Sequence, residues 1–156
     1  MKYWINPIVK IRAQLLYRAS RDGEDYQTFH RLCDNQGSTL VLTKLSEGDI
    51  LGTYTPISWE SSGWWKDDSN IFVFSLTRNL KAEKKKTNTN YGIFCHKDYG
   101  PESYFLGFQS GKKMKEPYLR IDNKEYLIDT QTLVPDRKNG NYYKADEVEI
   151  FKIIFK

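Results

Sequence analysis

Cysteine is scarce in this 156-residue chain: Cys33 and Cys95 are the only two. Two thiols do not make a disulfide framework, and a reducing compartment fits them best. No apolar run approaches the ~20 residues that cross a bilayer as a helix. The opening "MKYWINPIVKIRAQLL" has neither a long apolar core nor a small-residue cleavage site, so it is a poor secretory signal. Acceptor triplets for N-linked sugar, Asn-x-Ser/Thr, are absent. The expectation is a cytoplasmic protein without a transmembrane segment. Excess charge is small too, at +4. Much of it sits in "KAEKKK", Lys81 to Lys86, whereas a nucleic-acid binder spreads its cations over a face or groove. No nucleic-acid partner is therefore expected. The lysine run reads as a solvated loop, with attraction to an acidic partner as the alternative.

Aromatic residues are plentiful, at 15% of the chain, which favours strands because rings pack well on a pleated surface. "TLVLTK" (39–44) and "ILGTYT" (50–55) flank the turn-rich "LSEGD" and read as a hairpin. "IFVFSL" (71–76) is short enough for a strand buried on both faces. "YGIFC" (91–95), "YFLGF" (104–108), "YLRI" (118–121), "EYLI" (125–128) and "VEIFKIIF" (148–155) are further strand candidates. One helix stands out in "DYQTFHRLCDNQG". Tyr26, Phe29, His30 and Cys33 share a face, Asp25 is placed to cap the first turn, and Asn35 and Gly37 are stop signals. The polar stretches 58–70, 78–90 and 134–145 read as connections. Six or more strands with one clear helix predict two packed sheets, or one strongly bent sheet, with helical decoration.

Few residues propose chemistry by themselves. His30 and Cys33 share a helix face, but Cys95 and His96 are adjacent and point to opposite faces of any strand that contains them. That spacing does not suit zinc; neither a metal nor a cofactor is expected. There is no G-x-S-x-G elbow, and nothing local ties Ser61 or Ser62 to a histidine. Neither thiol has a basic or helix-N-terminal setting that would activate it. Trp59 follows a strand closely and reads as core. Trp64 and Trp65, flanked by glycine and charge, are candidate binding residues, either as interface anchors or in a sugar-stacking loop. In the last strand Glu149 shares a face with Phe151, Ile153 and Phe155. A carboxylate there needs a partner, with Arg18 and Arg21 as candidates. It is either one half of a structural pair or a weak catalytic candidate, a general acid or base.

"LLYRASRDG", "FHRLCDNQGSTLVLTK", "GTYTPISWESSG", "NIFVFSLT", "YGIFCHKDYGP" and "EVEIFKI" follow one another in the order seen in TLDc domains, and the chain resembles that family from about Leu15 to Ile154. Residues 1–14 are accordingly taken as a lead-in and 15–156 as a single domain. The resemblance implies a mostly β fold, two antiparallel sheets packed as a sandwich with a few short helices. It implies a role in oxidative-stress resistance, exercised by binding the cytosolic sector of the vacuolar proton-pumping ATPase. It brings no cofactor. The family's signature positions fall on Arg18, Asp22, Gly23, Gly37, Gly52, Trp59, Gly92 and Glu149, read as structural. Two departures stand out. Glu24 replaces the apolar residue that follows "RDG" in many members, which predicts a looser helix start. "ESYFLGF" replaces a glycine-rich run, with loss of any partner contact those glycines make.

The leading expectation is a non-enzymatic, monomeric binding domain with an exposed patch that includes Trp64 or Trp65. The alternatives are a hydrolase-like or peroxide-handling enzyme built on Glu149, with His30 or Ser20 as second group, and a sugar-binding sandwich using Trp64 and Trp65. "LLYRASRDG" itself reads as a strand leaving the core through a tight turn, with Gly23 supplying backbone freedom and Asp22 bonding turn amides.

Overall fold

Alternation of side chains along β2 (Thr39–Leu45) and β3 (Ile50–Thr55) sends Val41, Leu45, Leu51 and Thr53 to one face. The hairpin closes over a turn containing Gly48. The computed structural model describes residues 2–86, 91–121, 124–136, 138 and 140–156, the first two by backbone only. Around the hairpin are arranged β1 (Ile11–Arg18), β5 (Phe72–Ser75), β6 (Leu80–Glu83) and the long last strand β12 (Ala145–Phe155). Together they form an antiparallel six-stranded sheet in the order β1-β12-β2-β3-β5-β6.

Two rows of side chains cross this sheet on opposite faces. The inner row, Tyr17–Ile150–Val41–Thr53–Val73–Ala82, is wholly buried. The outer row runs Arg18–Glu149–Leu42–Gly52–Phe74–Lys81. Here Gly52 has no substitute. A Cβ on it would lie 2.3 Å from both the Phe74 ring and the Val41 carbonyl oxygen, because the ring lies across the neighbouring strand where a side chain would otherwise stand. The one-turn helix α1 (Lys2–Ile5) covers part of this outer face, with Trp4 tilted against Phe74 at 5.9 Å.

The second layer consists of two three-stranded sheets. One joins β4 (Trp64–Lys66), β7 (Ile93–Cys95) and β8 (Glu102–Ser103); the other joins β9 (Leu106–Gly107), β10 (Tyr118–Leu119) and β11 (Asn141–Tyr142). Their inward residues Ile93, Cys95, Leu106 and Leu119 share one core with Val41, Val73 and Ile150. A buried contact between the hydroxyls of Thr53 and Ser103, at 3.1 Å, links the layers. The one-turn helix α2 (Ala19–Asp22) leads to α3 (Tyr26–Cys33), which seals one side with Phe29 and Cys33. The protein is thus mostly β, built of antiparallel sheets with short helices.

Several local expectations change. β1 begins at Ile11, inside the supposed lead-in. The 81–86 run is not a free loop: Lys81 to Glu83 belong to edge strand β6, Ala82 is fully buried and Lys84 is 3% exposed, 3.5 Å from Asp67. Charged residues alternating around one buried alanine suit an edge strand, which must pair on one side and resist pairing on the other. The "EYLI" segment is no strand among the described residues; Tyr126 makes a single bridge to Lys84, and Asp129 caps a 3-10 turn, Thr130–Leu133. Trp64 and Trp65 sit on strand β4 rather than in a loop. "ESYFLGF", which stands in place of the glycine-rich run, is core: apart from half-buried Tyr104, residues 102–108 are buried.

Candidate functional site

The strand-to-helix passage at 15–23 is structural. Asp22 accepts a hydrogen bond from the Arg18 amide at 2.9 Å and pairs with Arg21 at 2.8 Å. Gly23 takes φ +96°, and Tyr17 donates its phenol to the Gly23 carbonyl. Arg18 meets Glu149 directly across the β1–β12 pairing, with Nη2 2.6 Å and Nε 2.7 Å from Oε1. The carboxylate is therefore held on a guanidinium at the edge of the sheet. It lines neither the cleft beside the start of α3 nor the one beside Trp4 and Tyr54. Ser20 bonds Glu147 instead, donating its amide at 3.1 Å. Burial raises the Glu147 carboxyl, but the Ser20 and Val148 hydrogen bonds and the charge of Lys115 bring it below its ordinary value.

Helix α3 starts as its sequence requires. Asp25 accepts from the Thr28 amide at 2.8 Å and from its hydroxyl at 2.9 Å, and Glu24 is tied through its carbonyl to the Met114 amide. Near the far end, His30 is 11% exposed and fully engaged. Nδ1 lies 2.8 Å from Asp34, while Nε2 faces the carbonyl oxygens of His96 and Tyr99 at 3.0 and 2.9 Å. Ser61 joins through Asp34 at 3.0 Å and Nδ1 at 3.3 Å. Serine, histidine and aspartate thus meet, although no local motif announces them. The arrangement is not that of a hydrolase. Both ring nitrogens face acceptors, which favours donation from the ring over its use as a base for Ser61. Burial opposes the charged ring, but Asp34 and the two carbonyls outweigh it and raise the pKa. This cluster clips α3 to two loops.

Both cysteines are buried, and burial pushes the Cys95 thiol up to about 11 and raises Cys33 further. Such thiols stay protonated and unreactive at neutral pH. Among the described residues, the carboxyl most displaced from its ordinary range is Glu102, on β8. Burial pushes it up to about 7, with only the charge of Arg120 opposing. Its Oε2 has no hydrogen-bond partner among the described residues. Nothing in the sequence marks it, since a two-residue strand carries no readable period.

Glu102 belongs to the outward side of the β4-β7-β8 sheet, where register places Trp65 opposite Phe94 and Phe94 opposite Glu102. There the rings form a continuous cluster. Trp65 contacts Tyr91 at 5.3 Å and Phe94 at 5.2 Å, Tyr91 stacks on Tyr104 at 5.6 Å, and Phe94 stacks on His96 at 5.8 Å. Arg120 caps the Tyr104 ring at 4.6 Å. Trp64 projects separately at 76% exposure. Neighbours on a strand point to opposite faces, so the two tryptophans form no common platform.

A family model for the TLDc domain matches residues 2–154. The chain belongs to the TLDc domain family. Among curated proteins, this TLDc domain is 30% identical over 63 residues to the MTOR-associated protein MEAK7 of Danio rerio, covering 40% of this chain and 14% of that protein. It is 29% identical over 83 residues to the Xenopus laevis MEAK7, covering 51% of this chain and 17% of the relative. The aligned stretches thus span less than a fifth of either relative.

The positions expected to carry the family signature fall, in this structure, at packing and turn sites. Trp59 is 1% exposed and donates its indole N–H to Thr39 at 2.8 Å. A Cβ on Gly92 would lie 2.5 Å from backbone atoms of Lys66 and Asp68. Gly37 has φ +77°.

Proposed function

We propose that this TLDc domain is a non-enzymatic binding module acting in oxidative-stress resistance, through the cytosolic sector of the vacuolar proton-pumping ATPase. The observation that carries the reading is the half-exposed aromatic side of the β4-β7-β8 sheet, with Trp65 among Tyr91, Phe94 and Tyr104. Tryptophan, tyrosine and arginine are the residues that most often anchor protein interfaces. Chemistry has less to support it: Glu149 is held by Arg18, His30 has both nitrogens engaged, and the thiols are buried. The name of the MEAK7 relatives describes association with another protein, which fits the same class of function.

Co-sedimentation of the purified chain with the isolated ATPase sector tests the proposal. Saturable binding is expected, weakened roughly tenfold or more by Trp65→Ala and unchanged by Glu149→Gln. Absence of binding removes the ATPase reading. Loss of a cellular protection phenotype with Glu149→Gln in a folded protein supports the enzyme alternative instead.

A further inference from the structure

Between the start of α3 and the 109–116 loop lies a cleft of about 860 Å³, a size that accepts small ligands or a short peptide. Four lysines line it: Lys97, from the loop after β7, and Lys112, Lys113 and Lys115 from the 109–116 loop. Elsewhere Lys44, Lys66, Lys81 and Lys84 each face a carboxylate. The four cleft lysines have no ion pair among the described residues. Lys112 rests over the Tyr142 ring at 4.5 Å, and Lys115 feels the charge of Glu147. Carboxylates are present as well, but Asp25 caps α3 and Asp98 faces His96 at 3.8 Å, which leaves Glu24. Glu116, alongside, accepts the Lys113 amide.

The lysines stand on a fixed frame. Met114 is fully buried between them, its amide bonded to the Glu24 carbonyl, and the Tyr26 phenol holds the Gln109 carbonyl at 2.9 Å. The four lysines outnumber the carboxylates of the lining, Glu24, Asp25 and Asp98, and a bound anion relieves the repulsion that remains.

We propose that this cleft binds an acidic peptide segment of a protein partner. The lining favours a peptide over a compact phosphate group. No arginine fork is among the lining residues, although paired N–H donors are the usual means of gripping phosphate. Glu24 and Asp98 would repel a dense charge, whereas a chain with spaced carboxylates meets the lysines and offers its own amides to those two. The proposal rests on the binding-domain reading but not on the ATPase as partner, and its site is separate from Trp64.

Fluorescence anisotropy of a fluorescein-labelled peptide of alternating Glu and Ser, titrated with the full chain, is the test. Saturable, salt-sensitive binding is expected. Lys112→Gln, Lys113→Gln and Lys115→Gln together should weaken it about tenfold, the sum of three exposed charge pairs. Lys10→Gln, Lys86→Gln and Lys156→Gln together, or Trp64→Ala alone, should leave it unchanged. Circular dichroism checks the fold of each variant, and Lys97→Gln with Lys113→Gln, both exposed positions, serves if the loop triple does not fold. Equal weakening by the distant triple reduces the effect to net charge and overturns the proposal. Failure to saturate overturns it, as does displacement of the peptide by tripolyphosphate below the peptide's own half-saturation, which marks a phosphate site. Peptide binding that persists when ATPase binding is absent separates the failure of one reading from that of the other.

Discussion

On the outer face of the six-stranded sheet, Tyr54, Phe72 and Phe74 stack together, all at least 94% buried, partly under Trp4. On the outer side of the β4-β7-β8 sheet, Trp65, Phe94 and Tyr104 also stack together, but stay half-exposed. Both surfaces consist of aromatic residues on antiparallel strands, as strand propensity requires. They differ in what lies over them: the larger sheet has its own N-terminal helix against it, and the smaller one retains area that a partner can cover. Three of the expected signature positions lie on the larger sheet. Arg18, Glu149 and Gly52 lie in one row of the large sheet, where strand pairing and close packing constrain residue identity.

Tryptophan replacement divides the two regions most sharply. Trp59→Ala removes a buried ring and leaves the Thr39 hydroxyl without its donor, so a loss of about 3–5 kcal/mol is expected in urea unfolding. Glu102→Gln tests whether the small sheet carries strain. Folding raises the Glu102 pKa from 4.5 to about 7, so its contribution is fully present below pH 4.5 and is lost as pH rises through about 7. The glutamine variant should flatten that fall and be more stable than the parent at pH 8, by on the order of 1–3 kcal/mol. No gain at pH 8 means that the carboxyl is solvated and the face looser than described.

The His30 clip, which joins α3 to the loops at Ser61 and His96, comes next. Folding raises its pKa above 6.5. Its stabilisation is therefore full below pH 6.5 and declines as pH climbs through the higher folded value. His30→Gln should cost about 1–2 kcal/mol at pH 6, with the gap to the parent narrowing at alkaline pH in paired melts. A gap that does not change with pH indicates a neutral imidazole. Trp64→Ala is the smallest of the stability effects, within about 0.5 kcal/mol, and a larger loss would show that Trp64 packs rather than projects.

Legibility followed the length of each pattern. The hairpin of β2 and β3, the last strand and the Asp25-capped helix rest on several turns or alternations, so local sequence suffices for them. β4 and β6 were hidden in polar stretches because each spans only three or four residues and takes its order from a neighbouring strand. Glu149 drew attention as a carboxylate in an apolar strand, yet that strand pairs with edge strand β1, from which Arg18 reaches it. Glu102 drew none and is the one deprived of solvent. His30 and Asp34, four residues apart, were readable as a helix pair, but Ser61 and the two carbonyls arrive from loops far along the chain.

The sequence by itself determined a β-rich chain with one capped helix and tight turns at Gly23 and Gly37, because alternation, capping and positive φ are decided by neighbours a few residues apart. Only the tertiary structure decided which aromatic surface is covered, which glutamates are buried, and that four lysines from two loops share one cleft. Burial and electrostatic fields are sums over residues distant in sequence, and no local pattern contains them.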